Sequence, residues 1–180
     1  MASLQAIYNE QVLPKLKEEL KLTNNLSVPR IEKVVLNMGL AEAAGNKEVM
    51  AKAAEQLAAI SGQKPRVTKA KKAISGFSLR QGDEIGLAVT LRGKKAWNFL
   101  EKLTIIVLPK MRDFRGLTTD KFDRAGNYSL GIAEQVLFSE VDYSKVDKVR
   151  GLVVTIVIKN SDPEKSKKLL EQIGVPFRKV

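Results

Sequence analysis

The stretch RIEKVVLNMG, residues 30–39, decides how the chain is read. Side chains alternate across a strand, so Glu32, Val34, Leu36 and Met38 share one face. Ile31, Lys33, Val35 and Asn37 share the other. The first face becomes wholly apolar toward its end, while the second mixes apolar, cationic and amide groups. Such a strand rests on a core with one side and meets something polar with the other.

Before it, SLQAIYNEQVLPKLKEELKL (residues 3–22) repeats Leu4, Ile7, Tyr8, Leu13, Leu16 and Leu20 at helical spacing. Pro14 lies inside this run and predicts two short helices or one kink. After the strand, NKEVMAKAAEQLAAISG (46–62) is the clearest helix, with Asn46 as N-cap and Gly62 past its end. RVTKA (66–70) predicts a strand, as does DEIGLAVTLRG (83–93), where Leu87, Val89 and Leu91 alternate against Ala88, Thr90 and Arg92. KKAWNFLEKLTIIVL (94–108) predicts a second long helix that Pro109 ends.

Residues 110–150 show little periodicity, with YSLGI (128–132) the best strand among irregular loops. GLVVTIVIKN (151–160) is apolar on both faces and predicts a central strand covered on both. SDPEKSKKLLEQIGVP (161–176) closes with a helix punctuated by Asp162, Pro163, Gly174 and Pro176. Strands and helices mix without a βαβ rhythm. The expected class is α+β: one domain over residues 1–180 with a mostly antiparallel sheet, helices on one face and the other face open.

The totals fit that picture. With 180 residues, 44% hydrophobic and 28% charged, the chain reads as an ordinary soluble globular protein. Its longest apolar run, LTIIVLP, is far shorter than a membrane helix needs. The N-terminal stretch MASLQAIYNEQVLPKLKEEL has neither the basic nor the apolar region of a signal peptide, so NLS at 25 and NYS at 127 read as chance glycosylation matches. There is no cysteine and no histidine, which removes disulfides, thiolate nucleophiles and the commonest general base. No enzyme and no cofactor is expected.

The net charge of +11 is concentrated. Residues 1–60 balance, residues 61–124 hold fifteen cations against six acids, and residues 125–180 hold nine against seven. Solubility alone needs no such asymmetry; a polyanion-binding patch does. Its densest part is KPRVTKAKK (64–72), with Lys64, Arg66, Lys69, Lys71 and Lys72 and no acid. Solvated surfaces interleave both signs, whereas cations that neutralise phosphates release counterions and gain affinity with each one engaged.

The open sheet face would present Lys33, Asn37, Thr90 and Arg92, suited to phosphate, ribose and base-edge contacts, though a plain solvated face has the same pattern. Lys94 and Lys95 occupy the first turn of a helix, where the dipole disfavours each by about 0.3–1 kcal/mol. An incoming phosphate would reverse that sign. Phe77, in a loop between Gly76 and Gly82, either stacks on a base or pins the loop to the body. Trp97, spaced with Leu100, reads as core. No phosphate-cradling GxxxxGK[ST] occurs, and Asp83–Glu84 or Asp120–Asp123 as Mg²⁺ ligands of a nuclease are the frequency of acids at work.

VPRIEKVVLNMGL, ISGQKPRVTKAKKAISGFSLRQGDEIG, VTLRGKKAWNFLEKL and LPKMRDFRGL resemble, in order and spacing, the family of the fifth protein of the bacterial large ribosomal subunit. The resemblance implies a cytoplasmic, ribosome-bound protein that binds 5S ribosomal RNA in the central protuberance, alongside large-subunit RNA and neighbouring proteins. It implies RNA-facing positions at Asn37, Met38 and Gly39, at Gln63, Pro65 and Thr68, and at Thr90 with Arg92. It implies contact with transfer RNA in the peptidyl site by the loop Ile74, Ser75, Gly76, Phe77, Ser78, Leu79, Arg80, Gln81 and Gly82. It also implies a bridge to a protein of the small-subunit head through Lys110, Met111, Arg112, Asp113, Phe114, Arg115 and Gly116. A free-standing RNA-binding or chaperone protein on the same fold is the alternative.

Overall fold

The computed structural model describes residues 3–43, 46–112 and 114–178. In chain order these form α1 (Leu4–Ile7), a π-helical turn Tyr8–Val12, α2 (Leu13–Glu19), β1 (Arg30–Gly39), α3 (Lys47–Ser61), β2 (Arg66–Lys69) and β3 (Glu84–Arg92). Then come α4 (Lys94–Lys102), a second π-helical turn Leu103–Val107, α5 (Leu108–Lys110), β4 (Tyr128–Ile132), β5 (Leu152–Lys159) and α6 (Pro163–Gln172). The strands make one antiparallel sheet in the order β2-β3-β1-β5-β4, an α+β architecture as expected. No helix among the described residues is long and apolar enough to cross a membrane.

The chain divides into two compact units: Met1–Val34 with Leu91–Leu130 and Thr155–Val180, and Val35–Thr90 with Gly131–Val154. The first has a core of Leu16, Val34, Leu91, Leu100, Val107, Tyr128, Ile156 and Leu170. Tyr8 packs on Trp97 with ring centroids 5.1 Å apart and donates its hydroxyl to the Pro29 carbonyl at 2.8 Å. Trp97 is therefore core, as its spacing suggests. The second unit closes over Leu36, Met38, Leu57, Ile60, Leu87, Val89, Phe138 and Val154.

The punctuated helices form where the sequence places them. Asn46 accepts the N–H groups of Glu48 and Val49, and Gly62 ends α3 in the left-handed region at φ +63°. Asp162 accepts from Lys165 N–H, with Pro163 in the first turn of α6.

Pro14 stands at the start of the second of two short α-helices, in keeping with its expected effect, whereas Pro109 departs from expectation. Pro109 does not stop its helix, which runs on to Lys110. In each case, the residue before the proline donates its N–H five residues back: Leu13 to Tyr8 and Leu108 to Leu103. Widening one turn accommodates the ring, which lacks an N–H and crowds the carbonyl four residues earlier.

A second correction concerns β5. It is an interior strand, but its burial alternates, with Leu152, Val154, Ile156 and Ile158 buried and Val153 43% exposed. It is covered on one face, and the valines of the other face stand partly in solvent.

Candidate nucleic-acid interface

Burial alternates along β1 as its pattern requires. Val34, Leu36 and Met38 are buried, Asn37 and Gly39 are exposed, and Lys33 is half-buried. On β3, Leu87, Val89 and Leu91 are buried while Thr90 and Arg92 are exposed. Met38 is the correction among these positions. Strand alternation sends its side chain to the core face, and the residue is 0% exposed.

In the second unit the polar positions are assembled around β2 and β3. The ladder pairs Arg66 with Ala88 and Val67 with Leu87, then shifts register between Thr68 and Lys69. Gly86 is needed at this approach: a Cβ there would lie 2.8 Å from the Met38 carbonyl and 2.9 Å from Thr68 Oγ1. Gln63 donates its side-chain amide to the Thr90 carbonyl at 3.2 Å. Behind it, Ser61 donates to the carbonyl of Leu57 at 2.7 Å, fixing the exit from α3.

The cationic run occupies β2 and the turn after it. Lys64, Arg66, Lys69, Lys71 and Lys72 are all exposed; Pro65 and Thr68 are half-buried. β2 is an outer strand of the sheet, and cations there also discourage edge-to-edge pairing with another molecule.

The loop beyond is a formed hairpin. Ile74 and Leu79 exchange N–H···O bonds of 2.9 and 3.1 Å around a 3₁₀ turn, Ser75–Phe77. Ser78 and Gly82 both take positive φ, +51° and +94°. Asp83 accepts the Arg80 N–H at 2.7 Å, and Gly82 N–H donates to Ala70 at 2.9 Å, closing the base. Ser75, Gly76, Arg80 and Gln81 are exposed, and Phe77 at the tip is 80% exposed. Of the two roles open to Phe77, pinning the loop is excluded by that exposure.

In the first unit, Arg92 lies 3.5 Å from Glu32, with both side chains largely in solvent. Such a pair contributes little and leaves the guanidinium available. Lys94 and Lys95 are exposed in the first turn of α4, whose N-cap is Gly93, and no acid sits in that turn.

Lys110, Arg112 and Arg115 are exposed, and Met111, Phe114 and Gly116 half-buried. Asp113 lies outside the described residues. The segment is anchored just past Gly116: Leu117 N–H donates to Pro176 at 2.8 Å and its carbonyl receives Arg178 N–H at 2.9 Å. Tyr128 braces it with a hydroxyl bond of 2.9 Å to the Thr118 carbonyl and edge contacts to Phe122 and Phe177. Burial pushes the Tyr128 phenol up to about 12, with the Asp120 carboxylate adding to the effect.

Of the acids weighed as metal ligands, Asp83 and Asp123 are engaged in turns. Asp123 accepts the N–H groups of Ala125 and Asn127 and the Asn127 amide at 3.0, 2.7 and 2.8 Å. Those bonds, the side-chain one foremost, hold its carboxyl below the usual range. It is a turn-forming residue. One charged cluster escaped sequence reading: Arg150, Asp147, Lys148 and Glu42, whose members lie up to 108 residues apart. DKVR looks like mixed solvated charge, so no local signal could have found it.

Residues 24–80 match the family model described as ribosomal protein L5, and residues 84–177 match the model for the C-terminus of the same ribosomal family. Proteins of this family are non-enzymatic, cytoplasmic constituents of the large ribosomal subunit that bind ribosomal RNA. The exposed cations and the polar strand positions agree with that role. With consecutive matches running from Asn24 to Phe177, the chain belongs to the ribosomal protein L5 family.

Proposed function

We propose that this protein binds 5S ribosomal RNA in the central protuberance, touches transfer RNA in the peptidyl site and bridges to a protein of the small-subunit head. The observation that carries the reading is the exposure of Asn37 and Thr90 in one unit and of Arg92, Lys94 and Lys95 in the other, on strand and helix positions with no core role. Amide, hydroxyl and cation together suit folded RNA: cations meet phosphates, while short polar side chains read sugars and base edges. The run Lys64–Lys72 supplies further phosphate contacts, and Gln63, Pro65 and Thr68 shape the strand beside them.

The hairpin Ile74–Gly82 is preorganised by its own backbone bonds and offers an exposed ring at its tip, a form suited to reaching a moving RNA. Lys110–Gly116 is the segment for the small-subunit contact, a cationic stretch held at its C-terminal end by Leu117.

Filter binding of 5S RNA tests the first claim. Asn37→Ala with Arg92→Ala is expected to weaken binding by about 1–3 kcal/mol for each base-edge interaction removed; unchanged affinity refutes both contacts. Deleting residues 75–81 is expected to spare 5S binding and lower transfer RNA occupancy, whereas loss of 5S binding would undo that division of roles. Sedimentation after a moderate salt wash separates a subunit component, which stays with large subunits, from a free-standing RNA chaperone.

A further inference from the structure

Arg150 is a buried cation of the second unit, its side chain 4% exposed. A guanidinium removed from water must be matched by acceptors, and it is. Its terminal nitrogens form a fork with the Asp147 carboxylate, each arm 2.8 Å, and Nε donates to Glu42 at 3.0 Å. Its backbone N–H donates to the Gln135 side chain, whose amide donates to the Lys148 carbonyl at 2.8 Å. Lys148 Nζ donates to the other oxygen of Glu42.

The carboxyls respond as such contacts dictate. The Arg150 guanidinium holds Asp147 well below the usual carboxylate range, and Lys148 followed by Arg150 lowers Glu42. Two cations meet two anions, so the cluster is neutral. In a chain of net charge +11 it keeps two carboxylates from standing free against an approaching phosphate backbone.

The cluster also holds a particular piece of chain. Glu42 follows Gly39 by three residues, and between them Leu40 is buried with its N–H on the Ile85 carbonyl at 2.8 Å. The backbone leaving the Asn37–Gly39 strand end is therefore fixed twice in succession, at Ile85 and at Arg150.

We infer that Arg150 is a positioning residue for RNA binding: by clamping Glu42 it sets the path of residues 39–42 and the presentation of Asn37 and Gly39. Arg150 itself touches no RNA. The inference rests on the reading of Asn37 as an RNA contact.

A double-mutant cycle tests it, with 5S RNA titrated against wild type, Asn37→Ala, Arg150→Lys and the double variant. Concentrations are corrected for folded fraction by urea melts. Lysine keeps the charge but lacks the fork and the Nε donor, so the clamp opens without exposing bare acids. Asn37→Ala is expected to cost roughly ten-fold in wild type and no more than about two-fold in the Arg150→Lys background, because coupled residues are not additive. Arg150→Lys alone is expected to cost about three- to ten-fold.

Additive losses, or unchanged binding by Arg150→Lys, overturn the inference and leave Asn37 as a contact. No loss for Asn37→Ala removes the contact itself, and the inference falls with it. Should Arg150→Lys fail to fold, Glu42→Ala opens the same clamp from the other side and gives the same cycle.

Discussion

Gln63 donates its side-chain amide to the Thr90 carbonyl at a point where the β2–β3 ladder has run out. The ladder's end pair is Arg66 with Ala88, and Thr90 lies beyond it. A side chain thus takes over a bond that a longer β2 would have made through its backbone. Gln63→Ala is expected to lower the urea midpoint by an amount worth about 0.5–1.5 kcal/mol, with the slope of the transition unchanged. An unaltered midpoint would show that water replaces the amide at no cost.

Phe77 should be invisible to stability. At 80% exposure its removal is expected to change unfolding free energy by less than about 0.5 kcal/mol. Ribosomes carrying Phe77→Ala should nevertheless retain transfer RNA less well in the peptidyl site. A melting temperature several degrees lower would mean that the ring is covered in the free protein.

Gly116 should tolerate nothing larger. Its φ is +95°, and a Cβ would lie 2.6 Å from the Arg178 nitrogen and 2.8 Å from the Phe177 carbonyl carbon. The left-handed conformation alone costs an alanine roughly 1–2 kcal/mol, and the backbone clashes add to it. Thermal melting of Gly116→Ala should show a drop of several degrees; a wild-type melt would mean that the C-terminal segment gives way freely.

Much of this architecture was legible locally, and the reasons are particular. Asn46, Gly62, Asp162 and Pro163 act on backbone groups within four residues, so their types announce helix ends directly. The alternation in β1 marks Asn37 as exposed and Leu36 as buried, because a strand offers only two faces. The same logic misleads on β5. Val153 and Val157 look like Val154 and Ile156 in sequence, and only the sheet's one-sided cover distinguishes them. Met38 is buried although the resemblance marks it as facing RNA, because a resemblance marks a chain position without saying which way its side chain points. The Arg150 cluster was invisible since Glu42 meets it across the fold.

Acid should weaken the protein through that cluster. Glu42 and Asp147 ordinarily titrate at 4.5 and 3.8, and both are lowered in the folded state, by Lys148 and Arg150 respectively. A carboxyl with a depressed folded pKa contributes stability above its unfolded value and loses it as pH falls through the folded one. The contribution is therefore full at neutral pH and fades from about pH 4.5 downward. Urea midpoints for wild type and Arg150→Met should differ most at pH 7 and converge on acidification; a constant gap would exclude the carboxylates as the cause.

Salt separates a phosphate-binding strand from a merely solvated one. Each of Lys64, Arg66, Lys69, Lys71 and Lys72 that engages a phosphate adds about one to the slope of log affinity against log salt. Lys69→Gln and Lys71→Gln should each lower that slope by roughly one while leaving the urea midpoint in place. Unchanged slopes would reduce these lysines to guards of the sheet edge.

The widened turns ahead of Pro14 and Pro109 amount to single-residue insertions. Each additional residue advances the screw by about 100°, so Leu13 and Leu108 inherit their azimuth from the bulge as much as from the helix. Substituting the proline alone would leave the surplus residue in place, and excising the surplus residue alone would swing the downstream side chains off their seats.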